Sequence, residues 1–136
     1  MVKQNSVETL TPPGTMEPIG PYSHIARAGP ILMIGAVAGV DPATGELVGP
    51  DIASQTTQIL AAFETMLGAV DVGFGDVLHI NVFLIDMADF QQMNAAYAYK
   101  MGSWRPARTA IAVAGLPKPG ARITMNLTAA SPTLAR

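Results

Sequence analysis

The fold is decided by residues 51–70, which read DIASQTTQILAAFETMLGAV. The apolar side chains of this stretch recur at spacings of seven, one and three residues, which places them on one stripe of a helix. Asp51 is the predicted N-cap, and Gly68 and Gly73 bracket the predicted end. We therefore expect a helix that packs one face against a core. That face consists of Ile52, Ile59, Leu60, Phe63, Met66, Leu67 and Val70.

On either side of this helix the chain reads as strands and one further helix. The second helix is predicted to start at Asp86 or Asp89 and to run to Lys100. The order β-β-α-β-α-β-β predicts an α+β domain in which a single sheet is backed by two helices, so that the opposite sheet face lacks a cover. The second helix turns Phe90, Met93, Tyr97 and Met101 to one face, and strands are predicted at 23–28, 31–34, 77–85, 109–114 and 122–129.

Length and composition set the class of protein. A chain of 136 residues suits one domain, and we expect a flexible N-terminal tail over residues 1–16 before a single domain over 17–136. The absence of cysteine excludes thiolate metal sites and cysteine nucleophiles. The longest apolar run, residues 31–40, has about half the length of a membrane span, and no signal peptide is recognisable. We expect a cytoplasmic protein with no membrane partner.

The sequence is poor in charge for a soluble domain. Charged residues make up 13% of the chain, where about 25% is typical, and 49% of the residues are apolar. With one sheet face uncovered, this favours a surface that is buried against further copies of the chain over an unusually apolar monomer surface. A net charge of -2 without a basic run argues against nucleic-acid binding, which depends on neutralising phosphates.

Candidate chemistry concentrates at residues 105–110, which read RPARTA at the start of a predicted strand. Pro106 restricts the backbone that enters the strand, and Arg108 follows where its guanidinium can form two hydrogen bonds to a carboxylate. The alternative for Arg108 is a surface ion pair. His24 and His79 have no acidic neighbour at metal-ligand spacing, so no metal is expected. The glycine pattern that would hold a nucleotide cofactor is absent, so no cofactor is expected either.

Five segments, in this order along the chain, together resemble one known family. They are PIGPYSH at 18–24, DPATGELV at 41–48, VFLIDM at 82–87, RPART at 105–109 and LPK at 116–118. The resemblance is to the Rid (reactive intermediate deaminase) proteins, also called the YjgF family, and it extends from about residue 18 to residue 130.

The resemblance implies a chorismate-mutase-like fold that assembles as a homotrimer with clefts between subunits. It also implies hydrolysis of 2-imino acids and their enamine tautomers to 2-keto acids and ammonia. By the same resemblance, Arg108 holds the substrate carboxylate and Tyr22 and Asn94 line the cleft, while Gly35 and Ala110 contact the ligand.

The sequence departs from the family pattern at the position of its water-orienting glutamate, which is Thr124 here. Threonine forms hydrogen bonds but does not accept a proton near neutral pH, so we expect Thr124 to hold water and the reaction to be slow. The family's serine and glutamine of the turn before Asp41 are missing from Gly35-Ala36-Val37, and Ala110 replaces its cysteine. These changes favour a more apolar, ring-derived substrate.

Two other functions compete with an imine deaminase. A trimer that binds small carboxylates without turning them over, as a binding or regulatory protein, agrees with the loss of the glutamate. RNA cleavage or translation inhibition, reported within the family, agrees poorly with an acidic chain that lacks a basic patch. Each cleft residue also has an ordinary alternative: Tyr22 as a strand aromatic, Asn94 as a surface amide and Thr124 as part of a wet sheet face.

Overall fold

A computed structural model describes residues 6–131, and this part of the chain forms two helices and six strands. The strands form one mixed sheet, which with its two helices confirms the predicted α+β architecture. The strands are β1 (Glu8–Leu10), β2 (Ile25–Ala28), β3 (Ile31–Ala38), β4 (Val77–Leu84), β5 (Ala107–Ala112) and β6 (Ile123–Ala130); the helices are α1 (Ile52–Gly68) and α2 (Phe90–Met101).

The sheet has the order β1-β2-β3-β6-β4-β5. Strand β6 lies in its middle and pairs antiparallel with both β3 and β4. The pair β4 and β5 is parallel, which requires a crossover connection, and α2 supplies it. Strand β5 is therefore an edge strand that begins directly after the end of α2.

Part of the segment predicted as a flexible tail belongs to the sheet. Strand β1 pairs antiparallel with β2, and Met16 is buried. The prediction missed β1 because an edge strand of three residues is held by backbone hydrogen bonds and needs no apolar alternation. Residues 1–5 of the predicted tail lie outside the described residues.

Helix α1 forms as its sequence predicts. The Asp51 carboxylate accepts a hydrogen bond from the Ser54 backbone N–H, 2.9 Å away, and this bond lowers the pKa of that carboxyl group. The apolar stripe is buried. Gln55 is also buried, where the chain directly after β3 passes so close to α1 that a Cβ on Gly39 would lie 2.6 Å from the Gln55 backbone.

The two faces of the sheet differ in cover. Ile80, Val82 and Leu84 of β4 are fully buried on the face that carries the helices. The residues between them point to the opposite face, named the open face here. Its apolar members include Met33, 54% exposed, and Ile111, 45% exposed. Within residues 6–131 no helix has the length and apolar character to cross a bilayer. By strand register the open face carries Met33, Asn81, Phe83, Thr109, Ile111, Thr124, Asn126 and Thr128.

Candidate functional site

Three of the predicted site residues line one cavity. Tyr22, Gly35 and Thr124 border a cleft of about 540 Å³, named the Thr124 cleft here. Its walls come from residues 16–24, the second half of β3 and the loop before β6. Most of the lining is apolar, and its charged members are Glu17 and Lys118. Its apolar side chains are those of Met16, Ile19, Pro21, Ala36, Val37, Ala38, Val40 and Pro117.

The wall that contains Tyr22 is braced from within. The Tyr22 hydroxyl oxygen accepts a hydrogen bond from the Ile19 backbone N–H at 3.2 Å. The Tyr22 ring meets the His24 ring edge-on, with centroids 5.9 Å apart. The His24 Nε2 atom is 2.7 Å from the Met16 carbonyl oxygen, and His24 is buried. These contacts fix the segment before β2 and give His24 a structural role in the wall of the cleft.

Gly35 and Thr124 belong to adjacent strands. The pairing of β3 with β6 is irregular between Ile34 and Val37, and within this irregularity Gly35 donates its N–H to the His24 carbonyl at 3.0 Å. Thr124 pairs with Ala38 on one side and Phe83 on the other. It lines the cleft, in a largely apolar setting, and is 6% exposed.

Arg108 lies apart from this cleft, on the helix side of the sheet. Its guanidinium carbon stands 4.9 Å from the centroid of the Tyr97 ring and 5.7 Å from that of Phe90. Its Nη1 atom is 3.9 Å from the Met93 sulfur. No ion pair of Arg108 occurs within residues 6–131, so the described structure does not contain the surface ion pair that the sequence left open.

A smaller cavity of about 300 Å³, named the Arg108 pocket here, borders this guanidinium. Asn94 and Tyr97 of α2 line it together with Arg105 and Pro106. The Asn94 Oδ1 and the Tyr97 hydroxyl are buried there without a hydrogen-bond partner in the described structure. Burial raises the pKa of Tyr97, against an opposing effect of the Arg108 and Arg105 charges, so the phenol keeps its proton at neutral pH.

The six predicted site residues therefore fall into two groups. Ala110 aligns with Val82 and lies half-buried on the same face as Arg108. Arg108 aligns with Ile80, whereas Thr124 aligns with Phe83, so Arg108 and Thr124 project from opposite faces. Their strands are also two places apart in the sheet, roughly 10 Å. One protomer does not bring all six residues to a single ligand.

Several residues of these cavities were missed from the sequence. The sequence predicts Tyr97 as part of the apolar face of α2. This prediction is correct for the ring, but it does not include the hydroxyl group at the Arg108 pocket. Glu17 and Lys118 carry no local pattern, although Lys118 belongs to the LPK segment. Within residues 6–131, no three histidine, aspartate or glutamate side chains gather as ligands of one metal ion.

Comparisons with known proteins agree on one family. A family model described as endoribonuclease L-PSP matches residues 14–131. A RutC family protein of Pyrococcus horikoshii, PH0854, is 44% identical over 102 residues, which are 75% of this chain and 81% of the relative. A human protein named 2-iminobutanoate/2-iminopropanoate deaminase is 35% identical over 123 residues, 90% of this chain and 87% of the relative.

Solved structures give the same result. The YjgF gene product of E. coli superposes with a TM-score of 0.83 at 29% identity, covering 90% of this chain and 98% of the other. A putative endoribonuclease of Thermotoga maritima superposes with a TM-score of 0.85 at 31% identity, covering 91% and 97%. Both similarities extend over nearly the whole domain, including the strands and helices that carry the two cavities.

Proposed function

Because this chain belongs to the endoribonuclease L-PSP family, the Rid or YjgF proteins, we propose that it hydrolyses an imine or enamine that carries a small carboxylate. A deaminase-type function is supported at the level of the family. Relatives of this chain are named reactive intermediate deaminase or 2-iminobutanoate/2-iminopropanoate deaminase. The family description also names an endoribonuclease. The acidic chain, with eight basic against ten acidic residues, supports the deaminase instead.

The observation that carries the proposal is the Arg108 guanidinium. Stacking on Tyr97 and Phe90 holds its position, and no acidic side chain within residues 6–131 pairs with it. A guanidinium that is fixed and unpaired presents two parallel N–H donors in the geometry that a carboxylate accepts. A 2-imino acid offers that carboxylate directly beside the carbon that water attacks.

The division of the site supports a working unit of several copies. Arg108 and Thr124 project from opposite faces of one sheet, so a single ligand contacts both only if they come from different protomers. The open face supplies an apolar surface on which copies can meet, with Met33 and Ile111 about half exposed. We propose the homotrimer that the family resemblance implies, with the ligand in a cleft between two protomers.

The chemistry asked of the site is modest. Water adds to the imine carbon to form a carbinolamine, the carbon–nitrogen bond then breaks, and the products are a 2-keto acid and ammonia. The attacking water gives up both of its protons, one when it adds and one when the carbinolamine breaks down, and both end on the nitrogen that leaves as ammonia, so the net reaction needs no external acid or base. The Thr124 hydroxyl hydrogen-bonds and orients the water. A carboxylate base at this position would add roughly 10²- to 10⁴-fold, and Thr124 does not supply it.

The lining of the Thr124 cleft points to the rest of the substrate. Apolar side chains form most of this wall, and Gly35 leaves room where another residue would place a side chain. A cleft of about 540 Å³ is large for the side chain of a three- or four-carbon imino acid, which is a methyl or an ethyl group. We propose a more apolar, ring-derived substrate that enters with its carboxylate toward Arg108.

The test is deamination of freshly generated imino acids. The purified protein is mixed with 2-iminobutyrate and with a phenyl-substituted 2-imino acid, and ammonia release is compared with buffer. We expect acceleration that is larger for the phenyl compound and lost in Arg108→Ala. Arg27→Ala is the control, since Arg27 pairs with Glu8 at the sheet edge. No acceleration over buffer, or equal acceleration in Arg108→Ala, contradicts the proposal.

The second candidate is a trimer that binds carboxylates without turnover. Thr124 favours it, because no carboxylate stands at that position and the acid that lines the cleft, Glu17, lies in an exposed loop. Calorimetry with pyruvate, 2-oxobutanoate and benzoate separates the two functions. Binding that requires Arg108, without acceleration of any imine, supports the binding protein over the enzyme.

A further inference from the structure

The Tyr97 hydroxyl is buried beside Arg108, the proposed carboxylate-binding residue, and has no hydrogen-bond partner among residues 6–131. Tyr97 is 8% exposed, and its ring packs in the core face of α2. The same ring lies under the Arg108 guanidinium, and Tyr97 lines the Arg108 pocket. Its hydroxyl makes no hydrogen bond within the described structure. Packing and stacking therefore explain why an aromatic ring occurs at this position, but they do not explain why the ring carries a hydroxyl group.

An unpaired buried hydroxyl is unusual. Most buried side-chain polar atoms have a partner, and leaving one without costs stability that phenylalanine at the same position would not lose. Phenylalanine would keep the packing against α1 and the sheet, and it would keep the stacking with Arg108. The partner of this hydroxyl is therefore to be sought outside residues 6–131, and a bound ligand can supply it.

The surroundings restrict what that partner is. The cations next to the hydroxyl are Arg108 and Arg105, and Arg105 is already bound through its Nη1 to the Gly102 and Trp104 carbonyl oxygens. The Tyr97 hydroxyl is thus a second donor in a pocket bordered by a guanidinium that has no ion pair among residues 6–131. Each carboxylate oxygen has two lone pairs, so an oxygen bound to the guanidinium accepts a further hydrogen bond.

We propose that the Tyr97 hydroxyl donates a hydrogen bond to the substrate carboxylate held by Arg108, so that α2 and β5 of one protomer form a two-donor carboxylate site. The proposal rests on the proposed function, because it places the carboxylate at Arg108. The raised pKa of Tyr97 is consistent with it, since the phenol remains a donor throughout the neutral range.

The test exploits the opposite signs expected for stability and affinity. Tyr97→Phe removes one oxygen and keeps the ring. We expect benzoate, used as the carboxylate probe in calorimetry, to bind about 10-fold more weakly, as for loss of a hydrogen bond to a charged group. The melting temperature without ligand should stay the same or rise, because an unpaired buried hydroxyl has been removed. Tyr99→Phe is the matched control, since Tyr99 is on the same helix and 91% exposed, and it should change neither quantity.

The outcomes separate this proposal from the one on which it rests. If Tyr97→Phe binds benzoate as the wild type does while Arg108→Ala does not bind it, Tyr97 makes no contact and only this inference fails. If Arg108→Ala binds as the wild type does, the carboxylate is elsewhere and both proposals fail. If Tyr97→Phe lowers the melting temperature of the free protein, the hydroxyl already has a partner there, and this inference is overturned.

Discussion

The Thr124 cleft and the Arg108 pocket differ in the charge of their lining and in how their polar atoms are paired. In the wall of the cleft the Tyr22 hydroxyl pairs with the Ile19 N–H and His24 Nε2 with the Met16 carbonyl, whereas His24 Nδ1 is buried without a hydrogen-bond partner among residues 6–131. In the pocket Asn94 Oδ1 and the Tyr97 hydroxyl lack a hydrogen-bond partner among residues 6–131, beside an Arg108 guanidinium that has no ion pair there. The proposed recognition of a carboxylate therefore rests on groups that one protomer already holds together. The cleft offers shape and an apolar wall, with little to activate water.

This difference is informative because the two regions belong to opposite faces of one sheet. If both regions act on one ligand, they are brought together by assembly of several copies. Disrupting that assembly should then lower the rate of imine hydrolysis more than a substitution in either region alone. If each acts independently, the open face should tolerate substitution.

The largest effect is expected from Met33→Glu on the open face. An unpaired carboxylate in an interface of copies costs several kcal/mol to bury, so the assembly should dissociate and imine hydrolysis should fall to the buffer rate. Light scattering measures the mass and ammonia release measures the rate. Tyr99→Glu, on exposed helix surface of the other sheet face, is the control and should change neither. An active oligomer carrying Met33→Glu would show that the two regions do not meet across this face.

The second effect concerns the chemistry of the cleft. Thr124→Glu places a carboxylate on β6 beside the attacking water, and we expect a gain of about 10- to 100-fold in kcat, within the range for general-base assistance. Thr124→Val keeps the shape and removes the hydroxyl, so its kcat should fall below that of the wild type. The melting temperature of each variant checks that the fold is retained. A Thr124→Glu protein no faster than wild type would place the reacting water elsewhere.

The sequence predicts well what depends on neighbours along the chain. The stripe from Ile52 to Val70 and the N-cap Asp51 were predicted because a helix brings residues three and four apart together. The same reasoning predicts the buried face of α2, with Met93, Tyr97 and Met101. Arg108 and Tyr22 were identified because they lie within short segments that resemble the family, and such segments can be recognised along the chain without knowledge of the fold.

What the sequence did not predict depends on pairing between distant segments. Arg108 and Thr124 lie on opposite faces because they pair with Ile80 and Phe83 of β4, which alternate to opposite faces, and no local pattern contains that register. Strand β1 was missed because its only support is β2. The hydroxyl of Tyr97 was overlooked because an apolar stripe explains the residue's position completely.

The third effect tests whether the Arg108 pocket needs geometry or only charge. Arg108→Lys keeps one positive charge but loses the paired donors and the planar group that stacks on Tyr97 and Phe90. We expect KM for the imino acid to rise about 10-fold, which corresponds to one lost charge-assisted hydrogen bond, with kcat little changed. Steady-state kinetics separate the two constants. A drop in kcat at constant KM would mean that Arg108 acts on the reacting carbon instead of the carboxylate.

The smallest effect is expected on the stability of the fold at high pH. It distinguishes the two regions, because it depends on Tyr97 in the pocket and not on Tyr22 in the cleft wall. Burial raises the pKa of Tyr97 above its ordinary value of 10.0, so above that pH the unfolded chain loses the phenolic proton while the folded chain retains it. The stabilising effect of the neutral phenol is therefore complete below pH 10 and diminishes as the pH rises toward the higher, folded-state value. Denaturant unfolding at pH 8, 10 and 11 should show a loss of stability that is smaller in Tyr97→Phe, whereas Tyr22→Phe in the cleft wall should follow the wild type. Equal pH dependence in wild type and Tyr97→Phe would mean that the hydroxyl ionises as freely when folded as when unfolded, and that the pocket does not keep this donor protonated.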